Sequence, residues 1–127
     1  MPARTRGELG HHGEECACHE LARRGYAILE RRHRTRHGEI DIIATDRGVL
    51  VFVEVKTRRT TTYGPPAAAV TWRKQQRLLR LALRYMAARR LTDVPCRFDV
   101  VCVTFPRGPE EPRVEVLKGA FDQSALS

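Results

Sequence analysis

Residues 38–57 read GEIDIIATDRGVLVFVEVKT, and two apolar runs within them predict a pair of neighbouring β-strands. The runs cover residues 39–44 and 49–57, and Asp46-Arg47-Gly48 between them is typical of a tight turn. Upstream, Tyr26-Ala27-Ile28-Leu29 starts another strand. Because the connections are short, the three strands are predicted to form an antiparallel meander.

Two helices and further strands complete the predicted fold. Helical spacing extends from Gly7 to Arg24 and ends at Gly25, and Thr71 is placed to cap a second helix over residues 72–91. Further strands are predicted at residues 97–104 and, at a sheet edge, 113–117. The order αβββαβ(β) predicts an α/β protein with a mixed central β-sheet flanked by helices. We expect a single domain over residues 7–119, with flexible termini at 1–6 and 120–127.

The charge of the chain favours a polyanionic partner. Lys and Arg number 23 against 15 Asp and Glu, which gives a net charge of +8, and cations that neutralise phosphates release condensed counterions. Charge alone leaves DNA, RNA and an anionic membrane open. The longest purely apolar run, Val49–Val53, is far shorter than the ~20 residues of a spanning helix. The four cysteines form no convincing disulfide framework, so we expect free thiols in a reducing cytoplasm.

Asp41, Glu54 and Lys56 predict a site for a hard divalent cation. Side chains alternate along a strand, so Glu54 and Lys56 share the face of Phe52. By the same rule Glu39 and Asp41 share a face with Ile43, opposite Ile40 and Ile42. If the two strands pair, Asp41 and Glu54 converge, and their carboxylates suit Mg²⁺. The alternative is an exposed strand end that carries ordinary solvated charges.

Each predicted helix places one polar residue on its packing face. Glu14 falls within the apolar stripe of the first helix, either as a satisfied core group or as a third acid at the metal. Gln75 precedes the apolar stripe of the second helix and could bind substrate or water, or lie at the helix edge. Glu39 is a less certain member of the site.

Several basic and aromatic residues are predicted to contact nucleic acid. Arg73, Arg77, Arg80 and Arg84 align on the outer face of the second helix, which is either a phosphate contact or a solvated face. Tyr63 could stack on a base or anchor its loop. The predicted contacts are Arg34, Arg36, Arg58, Arg59, Tyr63 and Arg73.

The clustered histidines and cysteines near the N-terminus do not complete a zinc site. His12 and Cys16 are the only clean i, i+4 pair, and no second pair supplies a tetrahedral set. No nucleophile motif and no phosphate-binding glycine loop is present. The residues considered are His11, His12, Cys16, Cys18 and His19.

Many short motifs, in order over roughly residues 7–104, closely resemble the bacterial YraN family. They are Gly10-x-x-Gly13-Glu14, Gly25-Tyr26-x-Ile28-Leu29, Arg34-x-Arg36-x-Gly38-Glu39-Ile40-Asp41, Val51-Phe52-Val53-Glu54-Val55-Lys56-Thr57-Arg58, Lys74-Gln75 and Cys96-Arg97-Phe98-Asp99-Val100-Val101. The sequence departs from the family pattern at Glu20 and at His11-His12, and neither change touches the predicted site.

The resemblance implies membership of the PD-(D/E)XK nuclease superfamily, which has Holliday-junction resolvases among its relatives. It implies a restriction-endonuclease-like core in which Asp41 and Glu54 bind metal, with the Val55 carbonyl as a third ligand. Glu14 then corresponds to the first-helix acid, Lys56 to the catalytic lysine, and Gln75 to the glutamine of the following helix.

We therefore expect a nuclease that uses Mg²⁺ or Mn²⁺ to hydrolyse DNA phosphodiester bonds, at branched or damaged DNA. The alternative is a non-catalytic nucleic-acid-binding protein or a scaffold in DNA processing. DNA is the expected partner, a membrane is not, and the expected location is cytoplasmic. A homodimer is a further expectation, because resolvase relatives cut two strands as dimers.

Overall fold

A computed structural model describes residues 6–60 and 70–121 of the chain. Two helices and five strands make up the described fold. In chain order they are α1 (Arg6–Arg23), β1 (Ala27–Thr35), β2 (Gly38–Asp46), β3 (Val49–Arg59), α2 (Trp72–Ala88), β4 (Cys96–Phe105) and β5 (Arg113–Phe121). The strands form one sheet in the order β1-β2-β3-β4-β5. The protein is therefore a mixed α/β structure with a five-stranded mixed sheet.

The strand directions follow from the connections. β1, β2 and β3 are joined by short turns and pair antiparallel, which confirms the predicted meander. β3 and β4 pair parallel, and the chain between them carries α2, as a parallel connection requires. β5 returns antiparallel to β4 and lies at the sheet edge. Consequently β1, β3 and β4 end, and β2 begins, at the same end of the sheet.

Each face of the sheet packs against one helix. Ala17, Cys18 and Leu21 of α1 pack with Val51 and Val53 on one face. On the other face, Leu78, Leu79, Ala82 and Tyr85 of α2 pack with Phe52. Alternation along β3 therefore divides its side chains between two cores, one under each helix.

Helix α1 ends as the sequence predicted, whereas α2 ends earlier than predicted. Gly25 adopts a φ of +98°, and the Tyr26 amide donates to the Leu21 carbonyl in a glycine-terminated helix end. The predicted helix over 72–91 was wrong in its last residues, since α2 ends at Ala88. There Arg90 takes the left-handed conformation, with a φ of +55°, and the Leu91 amide donates to Met86. Because arginine gives no termination signal, the sequence did not mark this end.

Two strands extend further than the sequence indicated. β1 continues through the basic stretch to Thr35, because its backbone pairs with β2 whatever the polarity of the side chains. β5 continues to Phe121, which pairs with Phe98 and stacks on its ring at 5.1 Å. The regular structure thus reaches two residues beyond the predicted domain end at 119.

The strands β2 and β3 separate at the end of the sheet where β3 finishes. Their pairing extends from Asp46 and Val49 only as far as Ile42 and Val53. Beyond that point alternation fails in β2: Ile40 packs with Ile43 under α2, while Ile42 packs under α1. The prediction that Ile40 and Ile42 share a face was therefore wrong. The gap between the strands is where Asp41 lies.

A buried polar network closes the opposite end of the sheet. Asp99 is fully buried and accepts hydrogen bonds from the Tyr26 hydroxyl at 2.7 Å, from Arg97 Nε at 2.8 Å and from the Gly119 amide at 2.9 Å. Arg97 also donates to Asp46 at 2.8 Å. Burial of the Tyr26 ring and the hydrogen bond to Asp99 raise the pKa of Tyr26. Because every group of this network has a partner, the network fixes the end of β2 and the start of β4.

Two further findings concern membrane-spanning helices and the cysteines. None of the helices within residues 6–60 and 70–121 is both long enough and apolar enough to cross a membrane. All four cysteines are free thiols, as the sequence predicted.

Candidate functional site

Three carboxylates converge where β2 and β3 separate. Glu14 of α1 and Glu39 and Asp41 of β2 each offer an oxygen, and these three oxygens lie within 4.8 Å of one another. Glu54 of β3 adjoins the group, since its carboxyl shares a side-chain hydrogen bond with Asp41. The structure thus brings together the predicted acids Glu14, Asp41 and Glu54 with Glu39, which the sequence left uncertain.

A close approach between α1 and β3 positions Glu14. A Cβ atom added at Gly13 would lie 2.1 Å from the Thr57 hydroxyl, so only glycine allows this contact. Glu14 follows directly and points to the carboxylates of β2. It is also ion-paired with Arg32, whose φ of +50° departs from ordinary strand geometry. The helix therefore reaches the site at a fixed position along its length.

Burial and mutual repulsion favour the protonated form of Asp41. Burial, and then the Glu54 charge, raise the pKa of Asp41 to about 8, although the Val55 amide donates to its Oδ2 at 2.8 Å. Glu14 and Glu39 push this pKa in the same direction. Burial also raises the pKa of Glu54. Such a group of acids favours a cation, since a positive charge would allow all of them to ionise.

Three cations face Glu54 and oppose the effect of its burial. In order of strength, Lys74, Arg77 and Lys56 lower the pKa of Glu54. Lys56 is the predicted lysine, two residues beyond Glu54 on the same side of β3. Lys74 and Arg77 were not predicted as site residues, and Arg77 was assigned to the outer face of its helix. Arg77 is exposed, and its aliphatic stem approaches Gly38.

Val55 and Gln75 have defined partners near the site. The Val55 amide anchors Asp41, whereas the role of its carbonyl as a metal ligand stays a prediction. Gln75 lies in the first turn of α2, and its side-chain amide donates to the Val70 carbonyl at 3.2 Å. Thr71 caps this helix as predicted, because its hydroxyl accepts from the Lys74 amide at 3.3 Å.

The predicted nucleic-acid contacts lie on elements that end or begin at the site. Arg34 is exposed at the end of β1 and pairs with Glu39 at 3.6 Å, and Arg36 is exposed in the following turn. Arg58 and Arg59 end β3, and exposed Arg73 lies in the first turn of α2. Tyr63 lies outside the described residues. The five arginines therefore occupy the end of the sheet that carries the carboxylates.

An exposed tryptophan at the same end was not predicted. Trp72, the first residue of α2, leaves 58% of its surface exposed, the largest value among the exposed apolar side chains of the described residues. Its position beside Arg73 and directly after the cap was readable from the sequence, but exposure was not.

The N-terminal histidines and cysteines do not form a metal cluster in the part of the chain that the structure describes. There, the acids at Glu14, Glu39 and Asp41 are the one group of three such side chains with ligand atoms close together. His12 instead packs edge-on against Phe105 with ring centres 5.0 Å apart, and Cys18 accepts a hydrogen bond from Arg31.

Comparison with known proteins places this chain in a family. Residues 13–103 match the sequence profile of Uncharacterised protein family UPF0102. The chain belongs to the UPF0102 family. The resemblance to the YraN family, which is the same family, is thereby confirmed.

Relatives match this UPF0102 chain over nearly its whole length. The UPF0102 protein of Trichlorobacter lovleyi is 46% identical over 125 residues, which cover 96% of this chain and 98% of the relative. That of Moorella thermoacetica is 48% identical over 121 residues, 95% of this chain and 98% of the relative. That of Symbiobacterium thermophilum is 51% identical over 114 residues, 89% and 95% of the two chains.

The family match begins and ends close to the site. It starts at Gly13, the residue that contacts Thr57, and includes the four acids and the three cations around Glu54. It stops at residue 103, so β5 and Arg113 of this UPF0102 protein lie beyond it.

Proposed function

We propose that this UPF0102 protein is a nuclease that hydrolyses phosphodiester bonds of DNA with a divalent metal ion. The observation that carries the proposal is the convergence of Glu14, Glu39 and Asp41 beside Glu54 and Lys56. A restriction-endonuclease-like fold of the PD-(D/E)XK superfamily is part of the proposal. The five-stranded mixed sheet with a helix on each face supports it.

The residues present fit Mg²⁺ or Mn²⁺. All side-chain donors are carboxylate oxygens, which hard cations prefer. Oxygens around one Mg²⁺ lie about 2.9 Å apart when adjacent and about 4.1 Å when opposite, for bonds of roughly 2.05 Å. Oxygens within 4.8 Å of one another therefore need only small side-chain movements to share one ion. Asp41, Glu54 and the Val55 carbonyl would hold the ion, and Glu14 and Glu39 would add negative charge beside it, which leaves positions for water and phosphate.

When bound, the metal supplies Lewis-acid polarisation of the phosphate and a more acidic water. The chain supplies the remaining functions. Lys56 lies on the strand face of Glu54, where its ammonium can orient the attacking water or stabilise charge on the phosphate. Gln75, held by Val70, would bind substrate or water at the start of α2. Arg34, Arg36, Arg58, Arg59 and Arg73 would bind flanking phosphates.

The exposed Trp72 would add contact with a base. Trp72 directly precedes Arg73 in the first turn of α2, at the end of the sheet that carries the acids, and an exposed indole offers a stacking surface for an unpaired base. Branched or damaged DNA, in which base stacking or pairing is interrupted, is accordingly the proposed substrate.

Cleavage of end-labelled four-way junction, flap, duplex and single-stranded DNA tests the proposal. We expect cutting with Mg²⁺ or Mn²⁺, none with EDTA, and a loss of at least about 100-fold in Glu54→Gln, which keeps the shape of the side chain. Glu20→Gln, near the opposite end of α1, is the matched control. If every DNA form stays intact with both metals, the proposal fails.

A second function, binding of nucleic acid without cleavage, is favoured by one observation. Arg32 pairs with Glu14, while Lys74 and Arg77 face Glu54, so the chain's own cations already balance part of the acidic charge. If this function is the true one, Asp41→Asn and Glu54→Gln keep or raise DNA affinity, and EDTA does not change it. Tight binding that requires metal would contradict it.

A further inference from the structure

A pocket lies at the end of the sheet that carries the acids, beyond Lys56. It has a volume of about 370 Å³ and is lined by Arg58, Thr60, Thr104, Pro106, Glu111 and Arg113. Of these, only Arg58 was predicted to contact nucleic acid. Thr60 directly follows β3, and the others come from β4, β5 and the connection between them, which the charge pattern of the sequence did not distinguish.

The sheet register aligns the polar side chains of this pocket. Arg58 of β3 pairs with Thr104 of β4, and Thr104 pairs with Arg113 of β5. Residues paired across neighbouring strands lie on the same face, so the three side chains form one row. Within the row, Arg58 Nε donates to the Thr104 hydroxyl at 3.1 Å. This contact fixes the guanidinium plane at the wall of the pocket.

The groups that line the pocket suit one phosphate. Two guanidiniums provide forked donors that match phosphate oxygens, and the hydroxyls of Thr60 and Thr104 add neutral donors. Glu111 is the one acid among the described lining residues, and Glu115 lies 3.9 Å from Arg113 at the rim. The pocket itself therefore carries a formal charge of about +1, which favours a single phosphate group over a longer polyanion.

The position of the pocket suits the end of a nucleic-acid strand. Arg58 is two residues past Lys56 and four past Glu54, which corresponds to roughly 7 Å and 13 Å along β3. Pro106 and Glu111 border the pocket on the side away from Lys56, because they follow the end of β4. A nucleic-acid strand that passes Lys56 thus reaches a pocket whose far side is lined by Pro106 and Glu111.

We propose that this pocket binds the terminal phosphomonoester of a nucleic-acid strand. A monoester carries close to two negative charges and three free oxygens, against one charge and two free oxygens for an internal diester. Two arginines and two threonines offer enough donors for the larger set. The inference rests on the proposed function for its ligand, and it specifies a substrate whose phosphorylated end lies a few nucleotides from the acids.

Fluorescence anisotropy in EDTA, where no cleavage occurs, tests this pocket separately from catalysis. Three oligonucleotides of one sequence are compared: with a 5′-phosphate, with a 3′-phosphate, and with hydroxyls at both ends. We expect one phosphorylated form to bind about tenfold more tightly than the hydroxyl form, as one or two charge-assisted hydrogen bonds would give. Inorganic phosphate should remove this difference.

Two variants of opposite sign and one control complete the experiment. Arg113→Ala should abolish the preference, and Glu111→Gln should increase it, because the competing carboxylate is gone. Arg107→Ala removes a charge from the same connection outside the lining residues and should leave the preference unchanged. Equal affinity for all three oligonucleotides, or a preference that survives Arg113→Ala, would overturn the proposal. If the preference is found but no DNA is cut with metal, the pocket stands and the nuclease fails.

Discussion

At the scale of single residues, Asp41 links the metal site to the stability of the metal-free protein. Burial and the Glu54 charge raise its pKa from 3.8 to about 8, so the folded state binds a proton that the unfolded state releases near pH 4. Stability from this group is therefore complete at low pH and is lost as the pH rises towards 8. The same proton must leave before a cation can bind.

Replacement of Asp41 should remove this pH dependence. We expect Asp41→Asn, in EDTA at pH 8, to gain at least about 1 kcal/mol, or roughly 3–6 °C in melting temperature, while its cleavage activity is lost. Asparagine keeps an oxygen for the Val55 amide. Melting curves between pH 5 and 9 provide the measurement, with Asp93→Asn as an exposed control. Parallel curves for the variant and the original chain would show that Asp41 does not titrate in this way.

Asp99 illustrates a buried acid with the opposite role. Its hydrogen bonds to Tyr26, Arg97 and Gly119 satisfy the carboxylate fully, so we expect Asp99→Asn to lower the free energy of unfolding by about 2–4 kcal/mol. Chemical denaturation would measure the loss. Cleavage per folded molecule should stay unchanged, because the network lies at the far end of the sheet. A variant as stable as Asp93→Asn would contradict this assignment.

The sequence predicted part of the candidate site for a clear physical reason. A two-residue period and a tight turn placed Asp41 opposite Glu54, and the structure brings them together. Regular alternation could not show that β2 and β3 separate beyond Ile42, which moves Ile40 to the other core and lets Glu39 join Glu14. Asp99 looked like any alternating strand residue, since its partners are distant in sequence.

At the scale of elements, the helices place the side chains that strands alone cannot. α1 lies close to β3 at Gly13, where an added Cβ would meet the Thr57 hydroxyl at 2.1 Å. α2 directs Lys74 and Arg77 at Glu54. The sequence predicted both helices and the Thr71 cap. Hydrophobic periodicity, however, does not show how closely a helix approaches the sheet, and it could not show that Arg77 acts on Glu54.

The contact between α1 and β3 can be tested by substitution. Gly13→Ala should cost about 1–3 kcal/mol of unfolding free energy through overpacking, and should reduce cleavage because Glu14 moves with the helix. Thr57→Ala removes the obstructing hydroxyl, so the double variant should regain most of the loss in both measurements. Gly7→Ala, which has open space at its Cβ, is the control. Additive effects of the two substitutions would show that the contact does not set the helix position.

At the scale of the whole molecule, the predicted phosphate contacts are grouped at one end of the sheet. Arg34, Arg36, Arg58, Arg59 and Arg73 lie at the end that carries the acids, whereas the buried network of Asp99 and Arg97 lies at the other. The overall sheet topology was predictable because turns, caps and apolar runs agree with one another. That topology, and not the charge count, gathers arginines from three separate elements.

The salt dependence of DNA binding should report this grouping. If all five arginines contact phosphates of duplex DNA, the logarithm of the affinity should fall against the logarithm of the salt concentration with a slope of about −4.5. The double variant Arg34→Ala, Arg36→Ala should reduce the steepness by about 1.8, as measured by anisotropy in EDTA. Arg47→Ala, in the turn at the far end of the sheet, removes an equal charge per residue and should leave the slope unchanged. If Arg47→Ala lowers the slope as much per charge as the Arg34 and Arg36 substitutions do, binding depends on net charge and not on the end of the sheet that carries the acids.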